Sequence, residues 1–352
     1  MKTLSSEPEI IAMANALRLG DGDPVTNIIN FCRNKIAKWV EDFGPVRTAW
    51  DLEKIVCEKL NLVIEHIWSD DDLDILIHSY VEDGDIVFAH LRKDLDEQTF
   101  ATLIRRKRPT PKSEDRYVAI IDCRGDKGPR RVFSRWHEIA HILTLYRQME
   151  LPLHRSTIEK NPTEKMMDII AGETCFYAPI FVPVLEAKIK SHGRLTFKAV
   201  ESVREDFHPE ASFQATLNAC VAHVKTPVVL LEIGMGLKKV EQRRVQSKQM
   251  DLLPTNPPKP QLRVLNSMPN ATARQISLQI PRHMRVPSRS ILAKLFKGET
   301  DLVTISGNAQ ENLAWWTSSN DGALPPTQVS VHAVKVNDRV VAIVSLANAE
   351  WN

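Results

Sequence analysis

Residues His137-Glu138-Ile139-Ala140-His141 set two imidazoles four positions apart, with a carboxylate beside the first. On a helix, positions i and i+4 share a face, so both neutral rings can reach one zinc ion. Glu138 then stands where it can move protons for a water at that metal. The chemistry implied is metal-assisted hydrolysis of a peptide bond. Zinc lowers the pKa of its water from about 15.7 towards about 7 and polarises the scissile carbonyl. Glu138 takes the water proton and delivers it to the leaving amine.

Such a site needs three protein ligands and an open fourth position. Glu164-Lys165-Met166-Met167-Asp168 begins 23 residues after His141. Asn161 can cap a helix there, Pro162 suits its first turn, and apolar residues continue to Phe176. On that helix Glu164 and Asp168 share a face. Glu164 can reach the metal, and Asp168 can accept the free ring N–H of a ligating histidine and fix its tautomer. Glu173 is the rival third ligand, nine residues on, too far for one helix to present both to one ion. Tyr146, His154 and Tyr177 are candidate donors to the oxyanion, and the sequence does not rank them.

The elements that must position these residues can be read on either side. Phe133, Trp136, Ile139, Ala140, Leu143, Thr144 and Tyr146 spread apolar surface over about four turns, as on a largely buried helix. Upstream, Tyr117-Val118-Ala119-Ile120-Ile121-Asp122 reads as a strand, and Arg124-Gly125-Asp126-Lys127-Gly128-Pro129 as the turn that leaves it. Strand, turn and H-E-x-x-H helix in that order resemble the zincin peptidases, in which an edge strand beside the helix holds substrate as an added strand. On that resemblance Cys123, ending the expected edge strand, has two readings. It is an ordinary buried strand cysteine, or an inhibitory fourth zinc ligand that keeps the site latent until the thiol is withdrawn or oxidised.

At 352 residues the chain should form two or three domains. Hydrophobic residues at 43% and charged residues at 26% describe a globular protein. A net charge of +2 argues against overall affinity for nucleic acid. Five scattered cysteines without a C-x-x-C pair fit a reducing compartment. The N-terminus lacks the apolar core of a signal peptide, and no apolar run reaches membrane-spanning length, so the expected location is cytoplasmic, with no membrane partner.

Residues 24–67 read as helical from Asp23-Pro24, with a second helix from Thr48 to Leu60. A β region begins at Leu62-Val63-Ile64 and returns at Ile86-Val87-Phe88-Ala89. Arg105 to Lys112 reads as an exposed basic loop. Phe197 to Phe207 and Ser212 to His223 form two short helices around His208-Pro209-Glu210-Ala211, a weak likeness to a helix-turn-helix. Thr226 to Ile233 reads as a buried strand, and Lys238, Lys239, Arg243 and Arg244 as a basic stretch facing a partner or water. Four prolines between Leu253 and Pro260 mark a boundary. Beyond it, Leu262 to Leu265, Ala273 to Ile280, Val329 to Val334 and Val340 to Leu346 read as strands, and Ser290 to Lys297 as a helix. Trp315-Trp316 reads as core, with base stacking the alternative.

H-E-I-A-H, then E-K-M-M-D-I-I-A-G-E, then Phe176-Tyr177-Ala178-Pro179-Ile180-Phe181-Val182-Pro183 resemble the ImmA/IrrE family of metallopeptidases over about residues 115–185. Met167 stands where many members have Cys or Ala. The resemblance implies an α+β chain with a zincin-like metallopeptidase domain at 1–185, a helical, helix-turn-helix-like segment at 186–252 and a GAF-like sensor domain at 261–352. It implies Zn2+ held by His137, His141 and Glu164, Glu138 as general base, and a helix-turn-helix repressor as the substrate whose cleavage derepresses stress-response or anti-phage defence genes. Single-stranded DNA or a small molecule would activate at the C-terminal domain. The alternative is a non-catalytic DNA- or ligand-binding transcriptional regulator with a structural zinc site. A zinc-dependent toxin with several targets is a third reading.

Overall fold

The computed structural model describes residues 4–106, 116–145, 153–156, 161–246, 258–298, 306–318 and 322–351, with the side chains of 153–156, 244–246, 306 and 318 outside the description. It is a mixed α+β chain with two main sheets. The chain divides into two compact units, one of Met1–Val184 with Val203–Thr216, the other of Leu185–Ser202 with Leu217–Asn352.

In the first unit the elements run α1 (Pro8–Ala16), α2 (Pro24–Phe43), α3 (Ala49–Leu60), β1 (Leu62–Ile67), α4 (Asp70–Glu82), α5 (Leu91–Asp94), β2 (Thr99–Arg105), β3 (Tyr117–Asp122), α6 (Arg131–Leu143), β4 (Leu153–Ser156) and α7 (Pro162–Cys175). Local chemistry sets the helix starts. Asp23 accepts from the Thr26 N–H at 2.9 Å, with Pro24 in the first turn of α2. Thr48 with Asp51, and Ser69 with Asp72, close reciprocal capping boxes on α3 and α4. Ile28, Cys32 and Ile36 recur at i, i+4 and i+8 and form the buried stripe of α2.

The sheet order is β1-β3-β2-β4, with β1 parallel to β3 and the other pairs antiparallel. This corrects one expectation: β3 is an interior strand, and the edges are β1 and β4. Every residue of β3 is buried, as a strand covered on both faces requires. Helix α6 packs against β2, β3 and α7. It is buried from Val132 to Leu143 except at Phe133, which is half-buried. It stops at Leu143, short of the expected Tyr146, and the Thr144 hydroxyl donates to the Ala140 carbonyl at 2.9 Å beside that end.

Ile86–His90 is a 3-10 turn rather than a strand. Asp85, just before it, is tied to buried Arg106 at 2.6 Å, and Phe88 is drawn into the core beneath α4. Arg106 therefore leaves the expected basic loop, and Arg105 belongs to β2. The remainder of that loop, 107–112, lies outside the described residues.

Helices α8 (Ala178–His192), α9 (Phe197–Phe207) and α10 (Phe213–His223) each contribute residues to both units. The pair read as a helix-turn-helix exists as two helices, but its turn, His208–Ala211, belongs to the first unit.

The second unit continues with β5 (Val228–Gly236), α11 (Lys239–Gln246), β6 (Gln261–Pro269), α12 (Ala271–Gln275), α13 (Ile291–Lys297), β7 (Ser306–Asn312), β8 (Thr317–Ser318), β9 (Gly322–Ala323), β10 (Gln328–Val336) and β11 (Arg339–Leu346). Its antiparallel sheet has the order β6-β5-β11-β10-β7. Strand β5, assigned above to the helical middle segment, pairs with both β6 and β11. The sheet therefore draws a strand from before the proline-rich boundary. Alternate residues Val229, Leu231, Ile233, Val340, Ala342 and Val344 fill the core face with Trp316 and the buried side of α13. Gly307 lets α13 approach β7: a Cβ there would lie 2.9 Å from Ile291. Ala273 to Ile280 is not a strand. Asn270 caps α12 there, accepting from Ala273 at 2.8 Å, and a turn with Ser277 at φ 58° follows. Among the described residues no single helix is long and apolar enough to cross a membrane, and the bent pair α7 and α8 reaches that length and composition only together.

Candidate metal centre

Helix α6 presents His137 and His141 on one face, their rings 5.0 Å apart between centroids. Helix α7 supplies the opposing carboxylates. Asn161 accepts from the Glu164 N–H at 2.8 Å, and Pro162 occupies the first turn, so the helix begins where its cap and proline expect. Glu164 then lies within the first turn of α7 and Asp168 one turn on, both turned towards α6.

Three side chains converge. His137 Nε2 lies 3.2 Å from His141 Nε2 and 3.0 Å from Glu164 Oε2, and His141 Nε2 lies 3.4 Å from Glu164 Oε1. Zinc–nitrogen bonds of about 2.0–2.1 Å in tetrahedral geometry set neighbouring ligand atoms about 3.3–3.4 Å apart. The two imidazole nitrogens stand at about that separation with one oxygen of Glu164 close to each, and these residues form the one His/Cys/Asp/Glu group of that kind among the described residues. The donor set suits zinc by chemistry. The rings are 1% and 2% exposed, so the charge they would hold is screened little by water.

The back of the site is also built. His137 Nδ1 lies 3.0 Å from Asp168 Oδ1. With a metal at Nε2, that contact would keep the ring proton on Nδ1. His141 Nδ1 is buried without a hydrogen-bond partner among the described residues. Burial works against the charge of Glu164, but hydrogen bonds with His137 and His141 and the positive charge those rings can carry outweigh it, and the carboxyl sits well below the usual carboxylate range. Glu138, 1% exposed, follows His137 on the same helix.

The structure brings together His137, His141, Glu164 and Asp168 and leaves other candidates apart. Glu173 pairs with Arg33 instead of joining the group. Cys123 is not part of it either. Burial pushes its thiol up to about 11, with Arg131 and Arg135 opposing the rise and Asp122 and Glu210 adding to it, none of them a member of the metal group. Cys123 follows the interior strand β3, and its N–H donates to the Ile67 carbonyl of β1 at 2.8 Å. Tyr177 is buried, with Glu41 and Arg33 the charges that bear on it. Tyr146 and the His154 side chain lie outside the described residues.

Sequence reasoning passed over Arg135. It is 2% exposed on α6, and its guanidinium meets Glu53 and Glu210, each at 3.1 Å. A charged residue at 135, within an apolar helix, was the available signal, because a buried arginine requires carboxylate partners. Comparison with known proteins adds no family to this geometry: no family model matches the chain, and no curated protein matches it.

Proposed function

We propose that the chain is a regulatory zinc metalloendopeptidase of the ImmA/IrrE kind. The first unit would be its zincin-like domain, and the five-stranded antiparallel sheet with α13 on one face would be its GAF-like sensor. The observation that carries the reading is the convergence of His137, His141 and Glu164 at 3.0–3.4 Å, with Asp168 behind one ring and Glu138 adjoining. A bound zinc ion would acidify a water and polarise a carbonyl. Glu138 would take the water proton on its carboxylate and return it to the leaving amine. Asp168 holds the His137 ring in the tautomer that offers Nε2. The burial of α6 keeps bulk water from the donors and strengthens each electrostatic contact.

The rival reading, a non-catalytic regulator with a structural zinc, calls for a closed set of four protein ligands. Among the described residues the group has three, which favours catalysis. The substrate we propose is a helix-turn-helix repressor encoded beside this chain, and the site of action is the cytoplasm. Incubating zinc-loaded protein with that repressor, wild type against Glu138→Gln, tests the reading. Discrete fragments with wild type and intact repressor with the variant are expected. Equal fragments from both would remove Glu138 as the base, and an intact repressor in both would remove the proposed substrate.

A further inference from the structure

A second feature of the first unit is absorbed by none of this chemistry. A cavity of about 370 Å³ opens between α3, β1 and the start of α6, within the range of small-molecule pockets. Its floor is one face of β1, the alternate residues Leu62, Ile64 and His66. One wall is the i, i+3, i+4, i+7 face of α3, from Trp50 through Glu53 and Lys54 to Cys57. The other wall carries Arg131 and Arg135, also i and i+4, with Glu210 paired to both.

Two observations describe what would fit. The first is aromatic. Trp50 and Trp68 both line the cavity, yet are 46% and 56% exposed. Two open indoles at the mouth of one pocket are more than scattered surface apolarity. Trp68 lies nearly parallel to His66, with an interplanar angle of 21° and centroids 6.4 Å apart. The Trp68 indole, 56% exposed, offers an aromatic surface on which a ligand ring can stack. Arginines flank both indoles, Arg135 at 5.1 Å from the Trp50 centroid and Arg131 at 5.8 Å from that of Trp68.

The second is charge. Three cations, Lys54, Arg131 and Arg135, face two carboxylates, Glu53 and Glu210. Arg135 is used up by both carboxylates. Arg131 shares Glu210 at 3.3 Å, gives one more bond to the Gly128 carbonyl and remains 24% exposed. The Lys54 side chain is exposed on α3, its charge felt by Asp51 one turn back. The lining therefore carries one more cation than carboxylate, beside the Trp68 ring.

We infer that this cavity is a binding site for a small planar aromatic anion, its ring stacked on the exposed Trp68 indole and its acid held by Arg131, with Lys54 on the facing wall adding positive charge. At 100° per residue, Arg131 and Arg135 point about 120° round α6 from His137 and His141. The pocket and the metal group are thus separate faces of one helix, and the inference does not depend on the proposed peptidase activity.

Isothermal titration calorimetry on the full chain tests it with four probes. Adenosine 5′-monophosphate and indole-3-acetate carry ring and acid, adenosine lacks the acid, and ribose 5-phosphate lacks the ring. Saturable one-to-one binding of at least one of the first two is expected, at least tenfold tighter than either incomplete probe. Whichever of the two binds more tightly distinguishes a phosphate from a carboxylate ligand. Arg131→Ala and Trp68→Ala, both at the solvent-facing mouth, should each weaken binding at least tenfold, and Glu138→Gln should leave it unchanged. No binding of either complete probe to wild type, or binding that survives both pocket substitutions, would overturn the inference.

Discussion

Removing the Asp168 carboxylate should weaken metal binding without touching a ligand. Its Oδ1 lies 3.0 Å from His137 Nδ1, a charge-assisted contact that fixes the tautomer and raises the basicity of the opposite nitrogen. Loss of such a partner costs about 10–100-fold in metal affinity. Asp168 is 21% exposed, so solvent screens part of the effect, and the lower half of that range applies: about 10–30-fold, or roughly 1.4–2 kcal/mol. His141 offers no compensation, since its own Nδ1 has no partner among the described residues. Asp168→Asn keeps an acceptor but loses the charge and should fall between alanine and wild type. Competition for zinc against a chromophoric chelator at pH 7 gives the three constants, and thermal melting of the metal-free proteins separates a folding defect from a binding one. If Asp168→Ala bound zinc within about threefold of wild type while folding normally, the orienting role would be refuted.

Three further outcomes follow from other parts of the molecule. The His208 ring is 1% exposed, and burial first, then the charge of Arg135, pushes its pKa down to about 4. The unfolded chain therefore binds the proton first, and stability should fall as pH drops from about 6.5 towards 4, by about 1.4 kcal/mol per pH unit and roughly 3 kcal/mol in all. Both ring nitrogens lack hydrogen bonds among the described residues, so His208→Phe should abolish that slope in urea titrations at little cost at pH 7. Asn270 accepts from Val228 and Ala273 and donates to the Val224 and Thr226 carbonyls. Asn270→Ala breaks all of these buried hydrogen bonds and should destabilise the second unit by about 3–4 kcal/mol in chemical denaturation. Because Cys123 stands outside the metal group, Cys123→Ser should leave zinc affinity unchanged, and a drop of tenfold or more in the same chelator assay would restore it as a ligand.

The legible part of the site was the part written locally. His137 and His141 share a helix face by spacing alone, and Asn161 and Pro162 announce the start of α7, which places Glu164 and Asp168 a turn apart. Pairings between distant segments were less legible. The run Val118 to Ile121 is apolar at every position, the mark of a strand covered on both faces, and that signal, given more weight than the order of elements, would have set β3 inside the sheet. Ile86 to Ala89 has strand composition, but the Asp85–Arg106 pair and the burial of Phe88 hold it as a 3-10 turn. The place of β5 inside the second sheet depends on β11, about a hundred residues later. The aromatic pocket could not be read at all, since four separate stretches of chain build it.

The central claim is one metal held by His137, His141 and Glu164. X-ray absorption at the zinc edge, with metal content, on the full-length protein tests it most directly. The expected result is one zinc per chain in a shell of nitrogen and oxygen with two imidazoles, and zinc lost in His137→Ala and His141→Ala. A sulfur ligand at about 2.3 Å, or zinc retained at full stoichiometry in both variants, would contradict it.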